Sequence, residues 1–315
     1  MKTSLSTVLG SVAAGAALLA VTACGGAAQS DPGSASAEGT VSITHAQGTT
    51  DVPVNPETVY TFDLGALDTM EAIGAEADGV PDAEFPESLS KYAGEDFEKI
   101  GSMKEPDFEA INAGAPDLII ISGRTAGAYE ELSKIAPTVD LSVDAANPVE
   151  SFKVGATSLG RIFAAEDAVA AQLDGIDRQI ADVKKEAANA GKGLIVLTSG
   201  GEVTAYGAGS RFGLIHDVLG VATAAEVKTE GSHGESISFE YIKETNPDTL
   251  YVVDRDSALG TGGAAASAVL DNELVRSTSA ARDGKIVALD ANSWYLVGYG
   301  LNNLPKMIGE VAAAL

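Results

Sequence analysis

Cysteine and histidine are nearly missing from this sequence. One cysteine and three histidines in 315 residues leave no disulfide framework and no zinc-type ligand set. Basic residues are also scarce, 20 against 45 acidic, for a formal charge of −25. Nucleic-acid binders normally carry a basic balance or stripe, and this chain has neither. There is no Gly-x-Ser-x-Gly elbow, no His-Glu-x-x-His and no Walker loop, and Gly209-Ser210-Arg211-Phe212-Gly213 is not a phosphate loop. Apart from one stretch near the N-terminus there is no long apolar run to serve as a membrane span. What is present is ordinary core material. Apolar residues make up 45% of the chain in well-spaced runs, which excludes disorder and suffices for one large core or two medium ones.

The N-terminal stretch reads as an address. Lys2 gives a positive start, Leu5 to Val21 is apolar and small, and Val21-Thr22-Ala23-Cys24 follows. The only cysteine stands at the expected cleavage point, in a pattern that resembles a bacterial lipoprotein box. Residues 1–23 are therefore expected to be a signal peptide and Cys24 the lipid-bearing first residue. Residues 24–40 are small and polar and read as a flexible tether, with the folded part beginning near Val41.

The rest of the chain repeats itself. Phe108-Glu109-Ala110-Ile111 runs to Pro116-Asp117 and then Leu118–Ile121; Phe239-Glu240-Tyr241-Ile242 runs to Pro247-Asp248 and then Leu250–Val253. The interval from Phe to Pro is eight in both. Each Pro ends a helix, and each apolar run predicts a strand covered on both faces, as in a parallel sheet. Sixteen residues after each Phe comes an arginine, Arg124 and Arg255. Both thus follow the C-terminal end of an equivalent strand, where open α/β sheets bind ligands.

Between the halves, Val169, Leu173, Ile176, Ile180, Val183 and Ala187 form one helical stripe, with Gly191 as its stop. A helix of about 20 residues reaches roughly 30 Å, enough to brace two domains. The expected organisation is an α/β chain with an N-terminal lobe over 41–148, a bridging-helix region over 149–191 and a C-terminal lobe over 192–315. The lobes are expected to be Rossmann-like, with parallel-type sheets.

Several local motifs support a closer match: VYTFDLGALD from Val59, GRTA at Gly123, SKIAPT at Ser133, VDR at Val253 and WYL at Trp294. Together they resemble the ferric-siderophore-binding lipoproteins of ABC importers, in particular the branch that takes catecholate siderophores such as petrobactin and bis-catechol compounds. The likeness spans Val41 to Leu315. It implies two lobes joined by a rigid helix (the class III periplasmic-binding-protein pattern), no catalysis, no intrinsic cofactor, and a ferric siderophore in the cleft. The implied partner is an ABC permease dimer. The protein itself is expected to be monomeric, not to bind nucleic acid, and to sit on the extracytoplasmic face of a Gram-positive type of membrane, held there only by its lipid.

The resemblance also implies a site. The family sets three cleft arginines against the anionic ferric catecholate, and their motif positions here are Arg124, Arg211 and Arg255. Guanidinium is always charged and its forked donors suit planar anionic oxygens better than Lys does. Some members supply a His and a Tyr directly to the iron, at positions that are here His233 and Tyr295. Phenolate is a hard donor matched to ferric iron, and imidazole also accepts it. Tyr299, in Gly298-Tyr299-Gly300, departs from the small residues common in relatives and offers a second phenol for the ligand or the iron. Glu109 and Glu240, at identical repeat positions, are the implied pair that docks on the permease, with Glu105 and Glu235 as nearby rivals; the alternative is that both are helix-start glutamates favoured by the macrodipole. His45 and His216 are assigned structural roles. Haem, cobalamin or a hydroxamate siderophore on the same fold stay open as ligands, as does a surface hydrolase.

Overall fold

The computed structural model describes residues 39–228 and 234–315. The expected signal peptide, Cys24, nearly all of the tether and His233 lie outside the described residues. The first strands, β1 (Thr40–His45) and β2 (Gly48–Pro53), form an antiparallel hairpin. The hairpin is tied to the next sheet where Ala46 N–H donates to the Asp140 carbonyl at 3.2 Å.

The N-terminal sheet contains β3 (Val59–Thr61), β4 (Gly79–Val80), β5 (Glu98–Lys99), β6 (Leu118–Ile121) and β7 (Thr138–Asp140). Their order is β5-β4-β3-β6-β7 and every pairing is parallel. The strand alternation places both faces in core. Leu118 and Ile120 join Val59, Leu64 and Leu67 on one side, while Ile119 and Ile121 join Tyr60, Phe62 and Ile111 on the other. Each fully buried Leu or Ile contributes roughly 1.5–3 kcal/mol, which makes this register strongly specified.

The C-terminal sheet contains β8 (Lys192–Ser199), β9 (Glu202–Tyr206), β10 (Ala222–Thr223), β11 (Glu235–Ile237), β12 (Thr249–Asp254) and β13 (Ile286–Ala288). The order is β11-β9-β8-β12-β13, with β10 beside the start of β8. Leu194, Val196, Leu250 and Val252 enter one core cluster and Ile195, Leu197, Tyr251 and Val253 another, repeating the two-sided pattern. This sheet is only partly parallel. β9 runs antiparallel to β8 and β11 antiparallel to β9, whereas β10, β8, β12 and β13 follow the expected parallel pattern. The reversal is made by Gly200-Gly201, whose φ values of 58° and 83° suit a two-residue hairpin turn.

The repeat extends to its helix ends. Helices Phe108–Gly114 and Phe239–Thr245 each stop at a left-handed residue, Ala115 and Asn246, both with φ 45°. The central region holds two helices, Pro148–Ile162 and the 22-residue Glu166–Ala187, broken where Ala164 turns to φ 51°. The second carries the expected stripe: Val169, Ile176, Ile180, Val183 and Ala187 are buried and Leu173 partly so. It touches both halves, with Gln172 Nε2 donating to the Ala72 carbonyl (3.2 Å) and Gln179 Nε2 to that of Pro305 (2.9 Å).

The two halves also meet directly. Helix Leu64–Ala72 lies against the segment 297–303 so closely that a Cβ on Gly65 would sit 2.3 Å from the Tyr299 carbonyl oxygen. Asp68 accepts the backbone N–H groups of Asn302 (2.9 Å) and Asn303 (3.0 Å) at the start of the C-terminal helix Asn303–Ala312. Burial pushes the Asp68 carboxyl up to about 6, against the lowering pull of those N–H groups and with help from the charge of Glu71. Leu296 and Val297 cross to the N-terminal core.

Candidate functional site

Between the two sheets opens a cleft of about 870 Å³, lined from the N-terminal half by Asp63, Lys104 and Arg124 and from the C-terminal half by Ser199, Tyr206, Arg211, Arg255, Tyr295 and Tyr299. Arg124 follows β6 and Arg255 directly follows β12, so the repeat places both at the ligand end of their sheets. Arg211 stands after β9, before the wide helical turn Leu214–Val218. Tyr295 rides on a second such turn, Asn292–Val297, closed by Gly298 N–H donating five residues back to Ser293 (2.8 Å). Turns of this width are uncommon and concentrate at functional sites.

The three arginines converge on Tyr295. Arg124 donates to the carbonyls of Tyr295 and Leu296 (the latter at 3.2 Å), and Arg211 Nη2 donates to the Tyr295 carbonyl at 2.9 Å. Arg255 Nε donates to the Tyr295 phenol oxygen at 2.8 Å, and its Nη1 to Ser199 Oγ at 2.9 Å. All three guanidiniums also lie within 5.9 Å of the phenol ring centre. Among the described residues no carboxylate stands within 4.0 Å of any of the three, in a chain with 45 acidic groups. Among the described residues, then, none of the three arginines forms an ion pair. Burial and the neighbouring charge of Arg124 lower the proton affinity of Arg211, yet a guanidinium so placed stays charged.

The two phenols separate cleanly. Burial raises the Tyr295 phenol, but the Arg255 hydrogen bond and the charges of Arg255, Arg211 and Arg124 outweigh it and leave the group below the usual tyrosine value. Tyr299 moves the other way, raised by burial and then by the charge of Asp217, with its ring 6.1 Å from that of Phe152. It lines the cleft as an apolar wall, and its phenol gives up a proton far less readily than that of Tyr295. Trp294, adjoining Tyr295, is buried with its indole N–H donating to Glu310 (2.8 Å).

Asp63, Lys104 and Ser199 escaped the sequence reading. Asp63 caps the helix Leu64–Ala72 through the Gly65 N–H (2.9 Å). Burial raises its carboxyl, opposed by that N–H, the Arg124 charge and a hydrogen bond from Ser122. Ser199 closes β8 and Asp63 follows β3 by two residues, so the strand-end rule that found the arginines also pointed to these. Lys104, an exposed residue on the loop before helix Phe108–Gly114, has no such signal. His233 is not among the described residues, but Gly234, next in sequence, lines the cleft.

Glu109 and Glu240 are exposed, each the second residue of its helix, and neither lines the cleft. Glu240 is held below the usual carboxylate range by its own backbone N–H and the Ser238 hydroxyl. The histidines assigned structural roles make local bonds: His45 Nε2 with Thr50 Oγ1 and His216 Nδ1 with the Val221 carbonyl, both at 2.8 Å.

Comparison with known proteins agrees with this fold. The family model described as periplasmic binding protein matches residues 59–293. The petrobactin-binding protein YclQ of Bacillus subtilis is 42% identical over 300 residues, covering 94% of each chain. Its crystal structure superposes with a TM-score of 0.83 over 87% of this chain and 98% of that one. The catecholate-siderophore binding protein VctP of Vibrio cholerae gives a TM-score of 0.83 at 37% identity, covering 87% and 99%. With most of its length matched by the family model and by relatives at this identity, the chain belongs to the periplasmic binding protein family.

Proposed function

We propose that this protein captures an anionic ferric catecholate siderophore in the cleft and delivers it to an ABC permease. The observation that carries the reading is the cluster of three arginines around Tyr295, none paired with a carboxylate among the described residues. A ferric catecholate spreads negative charge over planar oxygens. Each charge-assisted hydrogen bond to it is worth about 1.5–3 kcal/mol net, so three added to a weak aromatic contact bring it into the range of tight binding before ordering losses. The printed names of the relatives, petrobactin-binding and catecholate-siderophore binding, point to the same ligand class. Cobalamin and hydroxamate complexes, neutral or cationic, gain little from this cluster.

Where a siderophore leaves two iron sites open, Tyr295 and His233 supply them. Low proton affinity fits Tyr295 for iron, and the position of Gly234 on the cleft supports His233. Tyr299 shapes the wall. Residues 41–148 and 192–315 act as the two lobes and 149–191 as the brace that limits hinge motion, with the seam at Gly65 and Asp68 holding the floor. Residues 1–23 direct export, Cys24 carries the lipid and 24–40 form the tether. The protein acts as a monomeric carrier without catalysis. Glu109 and Glu240, equivalent in the repeat and exposed, dock on a two-fold permease. Replacing both by Gln is expected to stop uptake while ligand affinity stays the same; undiminished uptake rejects the docking role.

The test uses the single tryptophan. The lipid-free protein is titrated with a ferric bis-catecholate, a ferric hydroxamate and haem while Trp294 emission is followed. Saturable quenching by the catecholate at sub-micromolar concentration supports the proposal. Tight binding of the hydroxamate or haem alone rejects this ligand class, and no binding of any returns the hydrolase reading.

A further inference from the structure

We propose that Asp256 is a positioning residue that sets Arg255 toward the ligand by holding the hydroxyl of Ser199. The proposal rests on reading the cleft as an anion site. Arg255 cannot accept a hydrogen bond, so where its Nη1 meets Ser199 Oγ the oxygen must accept. The one proton of that hydroxyl is then free to point elsewhere, and it points to Asp256 Oδ1 at 3.3 Å. The other carboxylate oxygen of Asp256 accepts the Gly200 N–H at 2.6 Å, which fixes the carboxylate on the hairpin turn that carries Ser199. Asp256 is buried, and the loop after it closes over the carboxylate: a Cβ on Gly263 would sit 2.4 Å from Oδ2. Thr261 Oγ1 adds a longer contact to Oδ1 at 3.5 Å.

The arrangement has a chemical logic. A carboxylate bonded directly to Arg255 would fix the side chain but also cancel the charge the ligand needs. Here one hydroxyl stands between them, so Arg255 is held by Ser199 on one side and Tyr295 on the other while its charge stays unpaired. Two of its five N–H donors are committed and the others remain for a ligand.

A simple field effect and a positioning effect predict opposite outcomes. If Asp256 acted only as a nearby negative charge, Asp256→Asn would make the Tyr295 phenol more acidic and tighten an anionic ligand. If it acts through Ser199, both Asp256→Asn and the charge-neutral Ser199→Ala loosen Arg255 from the phenol. The experiment is a pH titration of tyrosinate absorbance on the whole protein and on both variants, each measured against its own Tyr295→Phe partner to isolate that residue. The expected result is an upward move of the Tyr295 titration in both variants, toward the ordinary tyrosine value. Affinity for a ferric bis-catecholate is expected to fall roughly tenfold in both, as for the loss of one charge-assisted bond. Any other pattern in the titration, an unmoved phenol in Ser199→Ala or a more acidic one in Asp256→Asn, overturns the proposal. Should Asp256→Asn fail to fold, Ser199→Ala decides alone. The absorbance arm uses no ligand, so a wild-type protein that binds no catecholate would defeat the functional reading and leave this one to its own result.

Discussion

Arg124 and Arg255 hold the same place in two matching halves, sixteen residues past a phenylalanine and just beyond a buried strand. Their tasks differ. Arg124 reaches across to backbone carbonyls at Tyr295 and Leu296, while Arg255 binds a phenol oxygen and a serine hydroxyl within its own half. The repeat therefore places the charges, and a segment outside the repeat, the wide turn Asn292–Val297, gives them different chemistry. A symmetric fold yields an asymmetric site because one unrepeated turn threads between its halves.

Three substitution sets test this contrast. The largest effect is expected from the arginines. Arg255→Ala removes a proposed ligand contact and the hydrogen bond that helps to lower the Tyr295 phenol, and should cost ferric catecholate affinity about a hundredfold; Arg124→Ala should cost about tenfold. Equal losses by calorimetry would show that the halves contribute alike. Next come the phenols. Tyr295→Phe should weaken a tetradentate ferric complex by about tenfold, abolish any iron–phenolate absorption band and barely affect a hexadentate complex. Tyr299→Phe should leave the band intact. A band lost with Tyr299 would transfer the iron to the other phenol.

The smallest effect concerns the seam. The Asp68 carboxyl rises from 3.8 to about 6 on folding, so the native state binds its proton more tightly than the unfolded chain does. Its stabilising contribution is fully present below pH 3.8 and is lost as pH rises through about 6, a span worth about 3 kcal/mol at most. Relative to Asp68→Asn, the wild-type protein should therefore lose stability between pH 4 and pH 7 in urea unfolding and change no further above that. A flat difference across the range would mean that the seam does not hold the proton.

Much of this was legible in the sequence because local patterns carried it. The Phe-Glu-x-Ile and Pro-Asp register marked two equivalent helix–strand units, and the structure gives both the same left-handed stop. The stripe from Val169 to Ala187 is a one-face pattern that only a helix satisfies. The site was harder to read. Strand-end position located Arg124 and Arg255, yet Asp63 and Ser199 share that position and went unread, because small polar residues at strand ends are common and their partners lie far away in sequence. The antiparallel β9 and β11 were hidden because alternation does not encode strand direction. The turn that carries Tyr295 has bonds spanning five residues, a spacing that the 3.6-residue pattern does not reveal.

The three cleft arginines sit inside a molecule whose formal charge is −25. Within about one Debye length of the surface, about 8 Å at physiological salt, an approaching anion is repelled by the acidic exterior; only inside the cleft does it meet the cationic pocket. Arrival and retention therefore respond oppositely to ionic strength. Added salt screens the outer repulsion and quickens association, while it weakens the inner attraction and quickens release. The sign reversal lies between two rate constants, and an equilibrium titration at a single salt concentration passes over it.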